Sequence, residues 1–202
     1  MKGIQLALGI ILVLLFPAFL HAQDRFEVFG GYSYFRASVT ETGTQLCPNP
    51  PCATGTFSDH PSLNGWEGSL VYKPTKDLGI VADFGGAYGS PSASLGSESM
   101  HTNTFLFGPQ VSFPARVSPF VHVLVGVAHE SIGGGLGSGA GSGFFFPAHS
   151  GNSFAIALGA GIDVKVVPSV SLRLLQVDYL ASHFVSSFQN QQRISAGVVF
   201  HF

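Results

Sequence analysis

The sequence predicts an all-β chain: an eight-stranded antiparallel up-and-down transmembrane β-barrel. Three observations carry that expectation. Apolar and small or polar residues alternate with a period of two through most of the chain after residue 22. Short and long connections follow one another in strict turn. Only 10% of the residues are charged, against 46% hydrophobic, with 26 Gly and 19 Phe, a balance that suits neither a water-soluble surface nor a helical core. The formal net charge of −2 offers no basis for nucleic-acid binding.

The elements follow in order. Residues 1–22 read as a signal peptide: Lys2 supplies a positive start, Leu6 to Leu20 is apolar apart from Pro17, and Ala18 to Ala22 supplies a cleavage region. A retained anchor is the weaker alternative, because the apolar run is short of a helical span. The barrel domain is then 23–202, and its crossings must be made by strands. Eight are predicted, over 25–36, 64–73, 77–88, 102–113, 119–130, 152–165, 169–180 and 191–202. Each has about the 9–11 residues, or slightly more, that a tilted membrane strand needs.

The fifth strand sets Val121, Val123, Val125 and Val127 against His122, Gly126 and Glu130. The sixth sets Phe154, Ile156 and Leu158 against Ser153, Ala155, Ala157 and Asp163. Two strands fit less well. Pro109 interrupts the fourth, and a bulge is expected there because proline cannot donate to a ladder. In the seventh the parity reverses, and a bulge at Leu174–Leu175 reconciles its halves. KPTKD, PARVS and VPS make tight turns. The connections 37–63, 89–101, 131–151 and 181–190 are long. This alternation places short turns and both termini on the periplasmic side and long loops outside.

A slender barrel has room inside only for a filled set of side chains. Small residues and a few charges fit there; the bulky face is therefore expected to meet hydrocarbon. Charges expected in the lumen are Glu27, Glu67, Lys73, Asp83, Asp163, Lys165, Arg173, Asp178 and Arg193. Two uses are open: a salt-bridge network that fills the tube, which the cost of unpaired buried charge favours, or a narrow ion path. Aromatics near strand ends, among them Phe26, Tyr34, Tyr72, Tyr88, Phe113, Tyr179 and Phe202, are expected to form interfacial girdles.

The chain ends ISAGVVFHF, with Ile194, Ala196, Val198, Phe200 and Phe202 sharing one face. That ending resembles the C-terminal signature of bacterial outer-membrane barrels. TFLFGPQVSF, PFVHVLVGVAHES and LRLLQVDYL resemble the strands of small outer-membrane proteins related to the outer-membrane protein A transmembrane domain. The resemblance implies an outer-membrane location and contact with outer-membrane lipid. It also implies recognition of Phe202 and its alternate neighbours by the barrel-assembly machinery.

Other candidates lie in the loops. Cys47 and Cys52 bracket PNPP, and in an exported chain a disulfide is expected in preference to a metal or redox site. His60, His101, His129, His149 and His183 are too irregularly spaced to argue for a metal rim. No cofactor is expected. His129 and Ser131 resemble the H-x-S pair of lipid A deacylases of this barrel size, which add a downstream Glu, but the stretch IGGGLGSGAGSGFFFP after Ser131 carries no acid to complete a triad locally. Phe144, Phe145 and Phe146 form an apolar cluster that would meet a partner or the membrane surface, extend the sixth strand or pack on neighbouring loops. The function expected is a non-enzymatic scaffold whose loops bind an extracellular ligand, with a porin-like passive channel as the first alternative and a lipid A-modifying enzyme as the second.

Overall fold

The structure, a computed structural model, describes residues 25–45, 52–90, 99–139, 142–146, 148–184 and 187–202. The signal peptide, Cys47 and part of the loops lie outside the described residues. Eight strands close into an antiparallel barrel. They are β1 (Phe26–Arg36), β4 (Ser62–Tyr72), β5 (Leu78–Gly89), β6 (Met100–Ser112), β7 (Val117–Ile132), β10 (His149–Val167), β11 (Val170–Phe184) and β12 (Ser187–His201). Four shorter strands, β2 (Val39–Gln45), β3 (Thr54–Asp59), β8 (Gly135–Gly139) and β9 (Ser142–Phe146), form a separate sheet in the order β3-β2-β9-β8. We call the mouth where β1 begins and β12 ends the near end, and the other the far end.

Each barrel strand pairs with its sequence neighbour in the wall, and β12 returns to β1 with Glu27 opposite His201 and Phe35 opposite Arg193. The last residue completes the seam: Phe26 N donates to Phe202 O at 3.1 Å and Phe202 N donates to Phe26 O at 2.8 Å. Closure leaves no free edge in the wall.

The outer face is apolar over a defined height. On β7 the outward residues from Val117 to Val127 are exposed and apolar, and the next outward residues are His129 and Ser131. Ten residue steps span about 33 Å along a strand, or about 25 Å along the axis at a tilt near 40°. That is the height of the apolar band in membrane barrels. The far boundary of the band runs in register across three strands. Val127 pairs with Phe105 on one side and Phe154 on the other, and one step outward on the same face His129 pairs with Asn103 and Asn152. His129 Nδ1 lies 2.7 Å from Asn152 Oδ1. Aromatic side chains mark both borders: Phe26 and Tyr72 are in contact at the near end, and Tyr88 meets His101 edge-on at the far end. The Tyr34 and Ser62 hydroxyls there are 2.7 Å apart.

Several sequence expectations need correction. Every barrel strand except β1 runs further at the far end than predicted, and β10 reaches 19 residues. Main-chain pairing continues above the apolar band, where outward side chains turn polar and the hydrophobic period fades. The expected long connection 181–190 shrinks to residues 185–186, because β11 and β12 run on to Phe184 and from Ser187. The loops over 37–63 and 131–151 contain hairpins built from Thr and Gly, which carry no alternation to read. Phe144 and Phe145 belong to β9, which pairs with β2 rather than prolonging β10.

Pro109 carries no bulge. The β5–β6 register runs unbroken through the Ile80–Pro109 pair, and the β6–β7 pairing skips Gly108 and Pro109 and resumes in the same register at Gln110–His122. Gly108 permits the fit, since a Cβ there would run into the Val123 carbonyl of β7. The bulge in β11 is present: both neighbouring strands shift register between Arg173 and Gln176, and Leu174 and Leu175 both face outward.

Candidate functional site

The lumen is filled in three layers. At the near end Glu27, on β1, takes Lys73 Nζ at 2.6 Å and lies 3.1 Å from His201 Nδ1. His201 Nε2 lies 2.7 Å from the Ser171 hydroxyl. These groups line an open vestibule.

The second layer is ionic and buried. Arg193, fully buried, donates through Nη1 to Asp83 at 2.8 Å and through Nε to Asp178 at 2.7 Å, with Glu67 at 3.3 Å. Asp178 also accepts from His122 Nε2 at 2.8 Å and from Gln176 Nε2 at 2.8 Å. Glu67 is held by Gln176 at 2.7 Å and by the Ser195 hydroxyl. Beside this cluster Arg173 grips Asp163 through two nitrogens, at 2.8 and 3.0 Å. Its guanidinium lies between the Phe29 and Phe120 rings, 4.4 and 4.2 Å from their centroids. Such stacking on two rings suits a desolvated guanidinium.

The bulge in β11 makes this layer possible. In an unbroken strand Arg173 and Gln176 would point to opposite faces. With the extra residue both point inward, and Arg173 Nη1 donates to Gln176 Oε1 at 2.7 Å. Gly159 makes room on the facing strand: a Cβ there would collide with Asp178 Oδ1 and His122 Nε2.

The third layer is apolar. Phe35, Leu63, Met100, Leu106, Leu124 and Leu180 are buried inside the far half of the barrel. The expectation that the lumen holds only small and charged side chains is therefore corrected. Large residues do enter where glycine and alanine on facing strands leave space, as Ala87, Ala128, Ala155 and Ala157 do here. Glu130 is enclosed at this level, its Oε1 accepting from Gln191 Nε2 at 2.5 Å.

Of the charges expected in the lumen, Glu27, Glu67, Asp83, Asp163, Arg173, Asp178 and Arg193 are buried inside. Lys165 is not: it is exposed at the near mouth. His122 and Gln176 lie on the inner face where the period of their strands puts them, and Ser195 shares it; their meeting around Arg193 and Glu67 comes from strand stagger, which no single strand encodes. His129 and Ser131 share the outward face while Glu130 points into the lumen, so this acid is on the wrong side of the wall to orient His129. The outward neighbours of the pair are Asn103, Asn152, His101 and Ser150, none of them an acid. Ile194, Ala196 and Phe200 are exposed on the outer face, with Val198 and Phe202 half-buried. Cys47 lies outside the described residues, so its pairing with Cys52 remains an expectation.

No family model and no curated protein matches the sequence. Solved structures do match. The neisserial surface protein NspA is 17% identical, with a TM-score of 0.57, covering 88% of this chain and 97% of its own. OprG, an outer membrane protein from Pseudomonas aeruginosa, is 12% identical with a TM-score of 0.57, covering 90% and 97%. Ail, the attachment invasion locus protein of Yersinia pestis, is 15% identical with a TM-score of 0.50, covering 89% and 100%. Identities this low establish the fold: the chain is a closed eight-stranded antiparallel barrel of the kind seen in small bacterial outer-membrane proteins.

Proposed function

We propose that the protein is an outer-membrane scaffold that works through its far end, as a binding platform, and does not conduct. The observation that carries this is the filled lumen. An ion entering from the near end meets the Phe29–Arg173–Phe120 stack, then Arg193 with three carboxylates, then the Leu106 and Leu124 layer. The surface left for a partner in water is the far end, where the four-stranded sheet lies. The apolar band supports a membrane location, since in water it would aggregate. Outer-membrane lipid is its partner on this reading, and the sharing of a fold with a protein named for attachment supports an adhesive use. The outward face of Ile194, Ala196, Val198, Phe200 and Phe202 is the segment proposed to engage the barrel-assembly machinery, after export with cleavage near residue 22.

Two measurements test this. The folded protein should need detergent and migrate faster on a gel when unboiled; a chain that stays soluble without detergent defeats the membrane reading. In planar bilayers it should give no steps above the lipid baseline. Steady ion conductance would replace the scaffold with the porin-like channel.

A further inference from the structure

We propose that the near-end vestibule is a binding site for a phosphate-class oxyanion, taken either as free phosphate or as the phosphodiester of a lipid headgroup. The vestibule is a cavity of about 970 Å³ lined by Arg25, Lys73, Lys76, Arg116 and Lys165. Glu27 and Asp163 are its acids, and both are already engaged, by Lys73 and His201 and by Arg173. Arg25, Lys76, Arg116 and Lys165 have no ion-pair partner among the described residues.

The arrangement of these cations is the decisive observation. Lys73 N donates to Arg25 O at 2.7 Å and Lys165 N donates to Arg116 O at 2.9 Å. Each pair therefore sits directly across a strand boundary, and all four residues line the same mouth. Like charges directly opposite one another on a sheet are destabilising. Of the two pairs, Arg25 faces a Lys73 that Glu27 already holds, whereas Arg116 and Lys165 face each other with no acid bonded to either among the described residues. That second pair is stabilised once an anion with several acceptor oxygens lies against it, and charge-assisted hydrogen bonds are the strong ones.

The rest of the chain sharpens the contrast. Beyond residue 24 the remaining basic side chains are Arg36, at the far end of β1, and Arg173 and Arg193, both buried in ion pairs. Exposed positive charge is thus gathered almost wholly at one mouth. The site is blind, because Phe120 and the Arg173 guanidinium close its floor. It binds and does not transmit.

The test uses the folded full barrel in an uncharged maltoside detergent at low salt, where screening is weakest. Inorganic phosphate is titrated by calorimetry against three proteins: the parent, Arg116→Gln/Lys165→Gln, and Arg36→Gln as a far-end control. Heat-modifiability confirms that each is folded. Saturable binding is expected for the parent and for Arg36→Gln, weakened roughly tenfold or more in the double variant, the ratio that loss of one charge-assisted hydrogen bond implies. Without phosphate the double variant should unfold at the same or higher urea concentration than the parent, because it relieves a like-charge pair. With phosphate the parent should gain and the variant should not.

A second arm separates the two sources. Short-chain phosphatidylglycerol, with phosphatidylcholine as the neutral comparison, is titrated in the same detergent. Binding of inorganic phosphate alone identifies a free anion as the ligand; preferential binding of phosphatidylglycerol identifies the headgroup. Absence of saturable binding in both arms overturns the proposal, as does equal loss of binding in Arg36→Gln. None of these outcomes bears on whether the far end is a binding platform, which the conductance measurement tests separately.

Discussion

The two inner layers of the lumen fill the same tube by opposite chemistry. Around Arg193 the space is occupied by charge, with Glu67, Asp83, Asp178 and His122 meeting one guanidinium and its immediate partners. Around Leu106 and Leu124 it is occupied by hydrocarbon. The ionic layer is not there because it is the more stabilising filler, since a well-packed apolar replacement is often as good or better. What it adds is direction. Arg193 on β12 reaches Asp83 on β5, Glu67 on β4 and Asp178 on β11, so a single side chain ties strands from separate parts of the wall in one register. Hydrocarbon packing tolerates small slips; this arrangement does not.

Four substitutions would break or sharpen that contrast, and all are read by urea unfolding of the barrel in lipid vesicles. The largest effect belongs to Arg193→Met. It leaves Glu67, Asp83 and Asp178 buried without their cation and should cost about 3–5 kcal/mol. Adding Glu67→Gln, Asp83→Asn and Asp178→Asn to it should restore much of the loss; if it restores none, charge compensation is not what Arg193 supplies. Next is Leu124→Ala, which opens a cavity in the apolar layer and should cost about 3 kcal/mol, with no rescue by any charge change. Val123→Arg probes the other side of the same wall. At mid-height of the apolar band it should cost about 2–4 kcal/mol, and a neutral result would show that Val123 does not face lipid. Gly159→Ala is smaller, about 1–3 kcal/mol, because Asp178 and His122 must shift to admit the methyl group. Its loss should shrink in a His122→Ala background, which vacates that space.

The wall was legible in the sequence and the filling was not. Val121 to Val127 against His122 and Gly126 declares two faces without any structure, and the reversal of parity at Leu174–Leu175 locates the bulge to the residue. Such signals are local, since a strand's faces depend only on its own period. The pairing of Arg193 with Asp83 joins positions 110 residues apart and depends on strand tilt and stagger, which no single strand encodes. The far-end sheet escaped for a different reason. VTETGTQ and GLGSG offer no apolar alternation for a strand reading to follow. Pro109 raised the expectation of a bulge because a proline cannot donate to a ladder; here the β6–β7 pairing lapses at Gly108 and Pro109 and resumes in the same register, so no extra residue is inserted.

The reciprocal bonds between Phe26 and Phe202 have a kinetic consequence. Their ring is stitched shut by residues separated by almost the full sequence, so contact order at the seam is extreme and closure must come late. Until it does, β1 and β12 each present a raw flank of unpaired amides able to template aggregation. Pairing these two flanks is the step that removes the last free edge from the wall.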